Sequence, residues 1–167
     1  RCAPAQVRAF VHVSTAYVNC HQRPGEIAEE LPELAFDAEE MARTIMCMAP
    51  AELERRHAEL VGRFPNTYSF TKAIAERILV RRRGAVPLCV VRPTIVGAAW
   101  REPAAGWIDS VSAIAALVLF SGMGLVRYIR GNASQILDVV PVDAVSNVTL
   151  AAAARTVAEP RRLRIYT

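Results

Sequence analysis

The sequence predicts an α/β protein built around a parallel sheet. Two apolar segments rich in β-branched residues, 7–14 and 86–92, have the composition of strands buried on both faces. A helical pattern from about Tyr68 to Arg82 lies between them, and this strand–helix–strand order is typical of parallel sheets. The 167 residues, of which 53% are hydrophobic and 22% charged, are enough for one folded domain and exclude a disordered chain.

The stretch between the two strands is predicted to be mostly helical after an initial loop. Short helices are expected near 37–46 and over 51–61. Either Asn66 or Thr67 can cap the long third helix, because their side-chain oxygens accept hydrogen bonds from free backbone N–H groups. Gly84 is expected to end that helix.

The second half of the chain is less regular. A loop with two tryptophans is predicted over 97–109, a helix over 139–155 and a last short strand over 162–167. The uncharged stretch 111–126 is shorter than the ~20 apolar residues of a membrane-spanning helix. We expect it to form a buried or substrate-lining helix, with contact to a membrane surface as the alternative. Asp143 suits a helix N-terminus.

Charge and cysteine usage exclude several functions. Twenty basic and 16 acidic residues give a net charge of +4, without the basic stripe and interleaved aromatics of a nucleic-acid binder. The four cysteines and three histidines have no metal-ligand spacing, so we expect neither a metal site nor a nucleic-acid partner. The widely spaced cysteines suit a reducing compartment.

Tyr68 and Lys72 are the sharpest chemical signal. Residues four apart on a helix share a face. A neighbouring ammonium group favours the phenolate form of a tyrosine, which brings proton transfer at neutral pH within reach. Ser14 and Thr15 follow the first predicted strand, at the sheet edge where α/β proteins bind ligands, and a hydroxyl there can stabilise an oxyanion.

Four runs carry a family resemblance: FVHVSTAYVN (10–19), PNTYSFTKAIAE (65–76), VVRPTIVGAAWREPAAGWID (90–109) and DVVPVD (138–143). Together they resemble the extended short-chain dehydrogenase/reductase superfamily. More narrowly, they are similar to the NAD(P)-binding domain of alcohol-forming fatty acyl-CoA reductases. The Tyr-x-x-x-Lys motif is general to the superfamily, whereas the tryptophan-containing end of the third run is more specific to these reductases.

The resemblance implies a role for each matching residue. Tyr68 would donate the proton to the substrate carbonyl oxygen, and Lys72 would hold the nicotinamide ribose and favour the phenolate. Thr15 would orient the carbonyl, with Ser14 as the second candidate for this role. The residues implied at the nicotinamide end are Pro93, Thr94, Ile95 and Val96. Trp100 and Trp107 would wall an acyl channel, or else pack against a core.

The implied reaction is the reduction of a long-chain fatty acyl-CoA to a fatty alcohol, through an aldehyde, by two hydride transfers from NADPH. The alternatives are another extended reductase, either an aldehyde-releasing thioester reductase or a sugar-nucleotide epimerase or dehydratase, and an inactive nucleotide-binding fragment. The family implies a membrane-associated enzyme of the endoplasmic reticulum or peroxisome. The sequence leaves the oligomeric state open.

The same resemblance implies a partial, Rossmann-like, doubly wound parallel sheet with substrate-side loops and helices. No glycine-rich phosphate-binding turn follows the first strand of this chain. We therefore expect residues 1–167 to be a single catalytic-half fragment without the N-terminal phosphate loop and the C-terminal domain, and to be inactive in isolation.

Two further residues have mainly structural interpretations. His12 lies within a predicted strand and is expected to be a core histidine with its hydrogen bonds satisfied, rather than a base. Arg92 is expected to brace a loop through a carboxylate, with contact to cofactor or CoA phosphates as the alternative.

Overall fold

The computed structural model describes residues 7–20, 28–111, 113–132, 134 and 136–167. The chain divides into two compact units. Unit 1 comprises Arg1–Arg92 and Ala152–Thr167, and unit 2 comprises Pro93–Ala151.

Strands and helices alternate along the described residues. In chain order they are β1 (Phe10–Val13), a 3-10 turn (Ala16–Asn19), α1 (Ala38–Cys47), α2 (Pro50–Val61), α3 (Thr67–Arg82), β2 (Leu88–Val91), β3 (Ile95–Gly97), α4 (Ala113–Gly122), β4 (Val139–Pro141), α5 (Val142–Ala158) and β5 (Arg164–Tyr166). The mixed α/β class predicted from the sequence is confirmed, and the parallel sheets are those of a partial Rossmann-like domain.

Unit 1 contains a parallel sheet with the strand order β1-β2-β5. The central strand β2 is completely buried, as predicted, and Cys89 within it belongs to the core. The expectation that β1 is also buried on both faces is wrong for the described residues. Phe10 is 43% and Val13 is 44% exposed, because among these residues β1 is an edge strand with a neighbouring strand on one side only.

The three helices between β1 and β2 lie close to their predicted positions, and Asn66, one of the two predicted caps, begins the third. The Asp37 carboxylate accepts hydrogen bonds from the first turn of α1, and the Asn66 side chain accepts one from Ser69 N, at 2.9 Å, at the start of α3. Phe70 of α3 is buried, with its ring centroid 5.7 Å from that of Phe64. These helices therefore form an apolar cluster that holds α3 in place.

Unit 2 contains two short parallel strands, β3 and β4, which were not predicted from the sequence. The predicted helix over 139–155 begins only at Val142, because residues 139–141 pair with β3 instead. A Cβ atom on Gly97 would lie 2.8 Å from Val139 Cγ1. Glycine at this position is thus what allows the two strands to approach.

Helix α4 occupies part of the uncharged stretch. The buried alternative predicted for this stretch is wrong for its second half, because Val118, Leu119 and Phe120 are all exposed. The first half contacts the short strand β3, and the two-stranded sheet is too small to cover the whole helix. Within the described ranges, no helix has the length and apolar character needed to cross a membrane.

Candidate active site

Tyr68 and Lys72 lie on consecutive turns at the start of α3, as their spacing predicted. Tyr68 is 54% exposed, and Lys72 Nζ lies 5.9 Å from the centroid of its ring. Lys72 Nζ also donates a hydrogen bond to Val13 O at 3.0 Å. This bond brings the Tyr-Lys face of α3 to the carboxyl end of β1.

Ser14 and Thr15 directly follow Val13 and are buried. Ser14 N donates to Val91 O at 2.7 Å, which extends the β1–β2 pairing, while Ser14 Oγ has no hydrogen-bond partner among the described residues. Thr15 Oγ1 accepts a hydrogen bond from Tyr17 N at 3.3 Å and so caps the 3-10 turn. That bond uses a lone pair of the oxygen and leaves the hydroxyl hydrogen able to donate.

His12 does not match the expectation of a satisfied core histidine. Its Nε2 atom is buried and has no hydrogen-bond partner in the part of the chain that the structure describes. Burial, followed by the positive charge of Lys72, holds the pKa of His12 below its ordinary value, and Glu76 opposes this shift. Both effects favour a neutral imidazole beside the Lys72 ammonium group.

Arg92 binds a carboxylate, as predicted, but that carboxylate lies on helix α3, and Arg92 contacts a loop through a backbone carbonyl. Its Nε and Nη2 atoms donate to the two carboxylate oxygens of Glu76 at 3.0 and 2.7 Å, and both side chains are fully buried. Nη2 also donates to Glu30 O at 3.0 Å. Glu76 was not predicted as a partner of Arg92, although its position one turn after Lys72 on α3 was a usable signal.

The residues predicted at the nicotinamide end belong to unit 2. Pro93 and Thr94 are half-buried. The Thr94 hydroxyl donates a hydrogen bond to Asp138 Oδ1 at 3.3 Å. Ile95 and Val96 form part of β3, with Ile95 half-buried and Val96 exposed. Their predicted contact with the cofactor stays a prediction.

The tryptophan loop is held by a residue whose role was not predicted. Asp143 lies in the first turn of α5, as predicted. Its carboxylate also accepts hydrogen bonds from the backbone N–H groups of Trp100 and Arg101 at 2.9 Å and of Glu102 at 3.2 Å. These bonds, led by that from Trp100, lower the pKa of Asp143 to about 2. The indoles of Trp100 and Trp107 are exposed, so the core-packing alternative is wrong within the described residues.

The residues at the end of β1 fit the nicotinamide end of a dinucleotide cofactor. A cation, a phenol and two buried hydroxyls, one of them without a partner in the described residues, occur at the carboxyl edge of a parallel sheet. Such edges are where α/β proteins bind nucleotides. Together these groups can donate protons or hydrogen bonds to an oxygen that gains negative charge.

Comparison with known proteins gives the same family. Residues 2–149 match the model of an NAD-binding domain family described as male sterility protein. The chain is 35% identical over 162 residues to fatty acyl-CoA reductase 1 of Xenopus laevis, 36% over 161 residues to that of Homo sapiens, and 33% over 162 residues to fatty acyl-CoA reductase 2 of Mus musculus.

Each of these alignments covers 96% of this chain but 31% of the relative, so the chain spans about a third of their length. The resemblance to fatty acyl-CoA reductases drawn from the sequence motifs is confirmed. The family match covers most of the chain and includes the Ser14–Thr15 and Tyr68–Lys72 segments. The chain therefore belongs to the male sterility protein family of NAD-binding domains.

Proposed function

We propose that this chain is the catalytic part of a reductase that converts long-chain fatty acyl-CoA to fatty alcohol through an aldehyde, with NADPH as the reductant. The names of its relatives support the substrate class. The observation that carries the proposal is the hydrogen bond from Lys72 Nζ to Val13 O. It holds the Tyr-Lys pair against the strand end that bears the two hydroxyls.

NADPH supplies the hydride when it is bound. Within the proposal, the Lys72 ammonium group binds the nicotinamide ribose and lies beside the Tyr68 ring. The segment Pro93–Val96 is assigned to the nicotinamide end through the family resemblance alone.

The chain's own groups manage charge and protons on the substrate oxygen. In the first reduction, hydride addition to the thioester carbon turns the carbonyl oxygen into an oxyanion, and the hydroxyl of Thr15, or that of Ser14, donates a hydrogen bond to it. Collapse of this oxyanion breaks the C–S bond, releases the CoA thiolate and leaves the aldehyde. In the second, Tyr68 Oη gives its proton to the aldehyde oxygen and so forms the alcohol. Because negative charge develops on the same oxygen in both steps, one set of donors can serve both.

Exposed apolar groups of unit 2 support a lipid substrate and contact with a membrane surface. Trp100 is 68% exposed, and the second half of α4 presents Leu119 and Phe120 outward. Exposed apolar side chains of this density are typical of surfaces that bind lipid or protein. We include association with the endoplasmic reticulum or peroxisome membrane in the proposal.

The test is an assay of the whole reductase that contains this chain. NADPH and NADH oxidation would be followed with palmitoyl-CoA, and the products separated by chromatography. We expect hexadecanol with NADPH, and we expect Tyr68→Phe to lower kcat by about 100-fold or more, since it removes the proton donor. Tyr128→Phe is the matched control, because this exposed tyrosine lies in unit 2 and should leave turnover unchanged.

Two outcomes would contradict the proposal. Binding of NADPH without turnover of any acyl-CoA would remove the substrate assignment, and sugar nucleotides and carrier-bound thioesters would be assayed next. Full activity in Tyr68→Phe would remove Tyr68 as the proton donor.

A further inference from the structure

Glu76 and Arg92 form a fully buried ion pair, and Glu76 lies on α3 one turn after Lys72 of the candidate active site. Two parallel hydrogen bonds join the guanidinium group to the carboxylate, and a further one joins it to Glu30 O. This fork geometry is directional, because a planar guanidinium meets a planar carboxylate in few orientations. The pair therefore constrains the rotation of the Glu76 side chain, and with it the rotation of α3.

Helix α3 is attached to two neighbouring strands through one face. Lys72 and Glu76 are four residues apart and share that face. Lys72 bonds to Val13 O at the end of β1, and Glu76 bonds to Arg92.

The two attachment points lie at the same level of the sheet. Val13 pairs with Val91 in the parallel register of β1 and β2, and Arg92 follows Val91 directly. The two attachments together set both the rotation and the height of α3 relative to the sheet edge.

Stability alone gives little reason for this arrangement. Taking two charges out of water has a high energetic cost, and replacing a buried ion pair by apolar side chains of similar size is often neutral or stabilising. An apolar pair would pack in several rotations of the helix, whereas the forked pair accepts few. What the pair adds is thus orientation.

We propose that Glu76 and Arg92 are positioning residues that hold α3 in the rotation and height at which Lys72 reaches the end of β1 and Tyr68, one turn earlier, faces the reacting oxygen. Neither residue touches the substrate in this proposal. The effect on turnover rests on the proposed reductase function, whereas the effect on α3 does not.

The test compares two double variants of the whole reductase. Glu76→Met with Arg92→Met removes both buried charges and leaves apolar side chains of similar length. Arg56→Met with Glu59→Met is the matched control, since that pair is also doubly hydrogen-bonded but is exposed on α2. The measurements are kcat and KM for palmitoyl-CoA, the melting temperature, and hydrogen exchange of the amides of α3.

We expect the buried-pair variant to keep the melting temperature of the wild type and lose about 100-fold in kcat, the size of effect that a small misplacement of reacting groups produces. KM for palmitoyl-CoA should change little, and exchange in α3 should become faster. The control should match the wild type in kcat, in KM and in the exchange of α3. Wild-type kcat in the buried-pair variant would overturn the proposal.

Two further results are decisive. If the wild-type protein reduces no acyl-CoA, the proposed function fails, and exchange in α3 alone decides the positioning proposal: faster exchange supports it and unchanged exchange overturns it. If the double variant does not fold, Arg92→Lys keeps the charge but loses the fork. We then expect a loss of about tenfold or more in kcat for this variant, and unchanged kcat would overturn the proposal.

Discussion

Ser14 and Thr15 are adjacent buried hydroxyls with different hydrogen bonds. Thr15 Oγ1 caps a turn, whereas Ser14 Oγ has no partner among the described residues. A buried polar group without a partner costs stability, and such groups are often kept for chemistry. The two side chains therefore differ in how a substitution should affect stability and turnover.

We predict that Thr15→Val lowers both stability and kcat, because it removes the cap and, in the proposed reaction, a donor to the oxyanion. The loss of the donor should reduce kcat by about 100-fold, and Thr15→Ser should restore most of it. Ser14→Ala should leave the melting temperature unchanged or slightly higher. Thermal melts and palmitoyl-CoA turnover of the three variants check this, and wild-type turnover in Thr15→Val would show that Thr15 is not the donor.

Among individual residues, the sequence predicted those whose partners lie nearby in the chain. Tyr68 and Lys72 were found because helix periodicity alone puts them on one face. The contacts of Glu76 and Asp143 were missed, because what each of them binds depends on how distant segments meet: Arg92 directly follows β2, and Trp100 lies in a loop. The unsatisfied Nε2 of His12 is likewise a property of tertiary packing.

Helix α3 depends on its N-terminal cap, because the Asn66 side chain accepts a hydrogen bond from Ser69 N and another from the Ser69 hydroxyl. We predict that Asn66→Ala lowers the free energy of unfolding by about 1 kcal/mol. Asn66→Asp, which keeps a side-chain acceptor, should lose less. Urea unfolding checks this, and equal stability of Asn66→Ala and wild type would show that the cap contributes nothing.

The sequence predicted the elements that carry strong local signals. Helices α1, α2 and α3 have caps or a Pro start and were found close to their observed bounds. Strands β3 and β4 have three residues each, too few for any alternation of apolar and polar positions to be recognised. The exposure of α4 was also not predictable, because an uncharged sequence does not indicate what covers it.

Acidic pH should weaken the molecule as a whole. Several carboxylates have a pKa below the ordinary value because they accept hydrogen bonds, from arginine side chains at Glu39, Glu59 and Glu159 and from backbone amides at Asp37 and Asp143. When the folded pKa is below the unfolded pKa, the unfolded state binds more protons as pH falls. The stabilising contribution is therefore complete above the unfolded values and is lost as pH falls through the folded ones.

We predict that the melting temperature falls steadily from pH 5 toward pH 2, where Asp143 titrates last. His12 adds to this trend from about pH 6.5 downward, because its lowered pKa also makes the unfolded state the better proton acceptor. Thermal melts at constant ionic strength check the trend. A melting temperature that stays constant or rises between pH 5 and pH 2 would show that these hydrogen bonds are not stabilising.

The order β1-β2-β5 has a consequence for how the molecule folds. Phe10 pairs with Leu88, and Val91 pairs with Tyr166, so almost every ladder contact joins segments that are far apart in sequence. Closing loops of that length costs conformational entropy before any strand pairing can stabilise the chain, and such topologies therefore fold slowly. During synthesis, β2 would leave the ribosome when β1 is already present but β5 is not. Until β5 is made, one edge of β2 would have no strand paired to it. An apolar strand in that condition is a natural binding site for a chaperone.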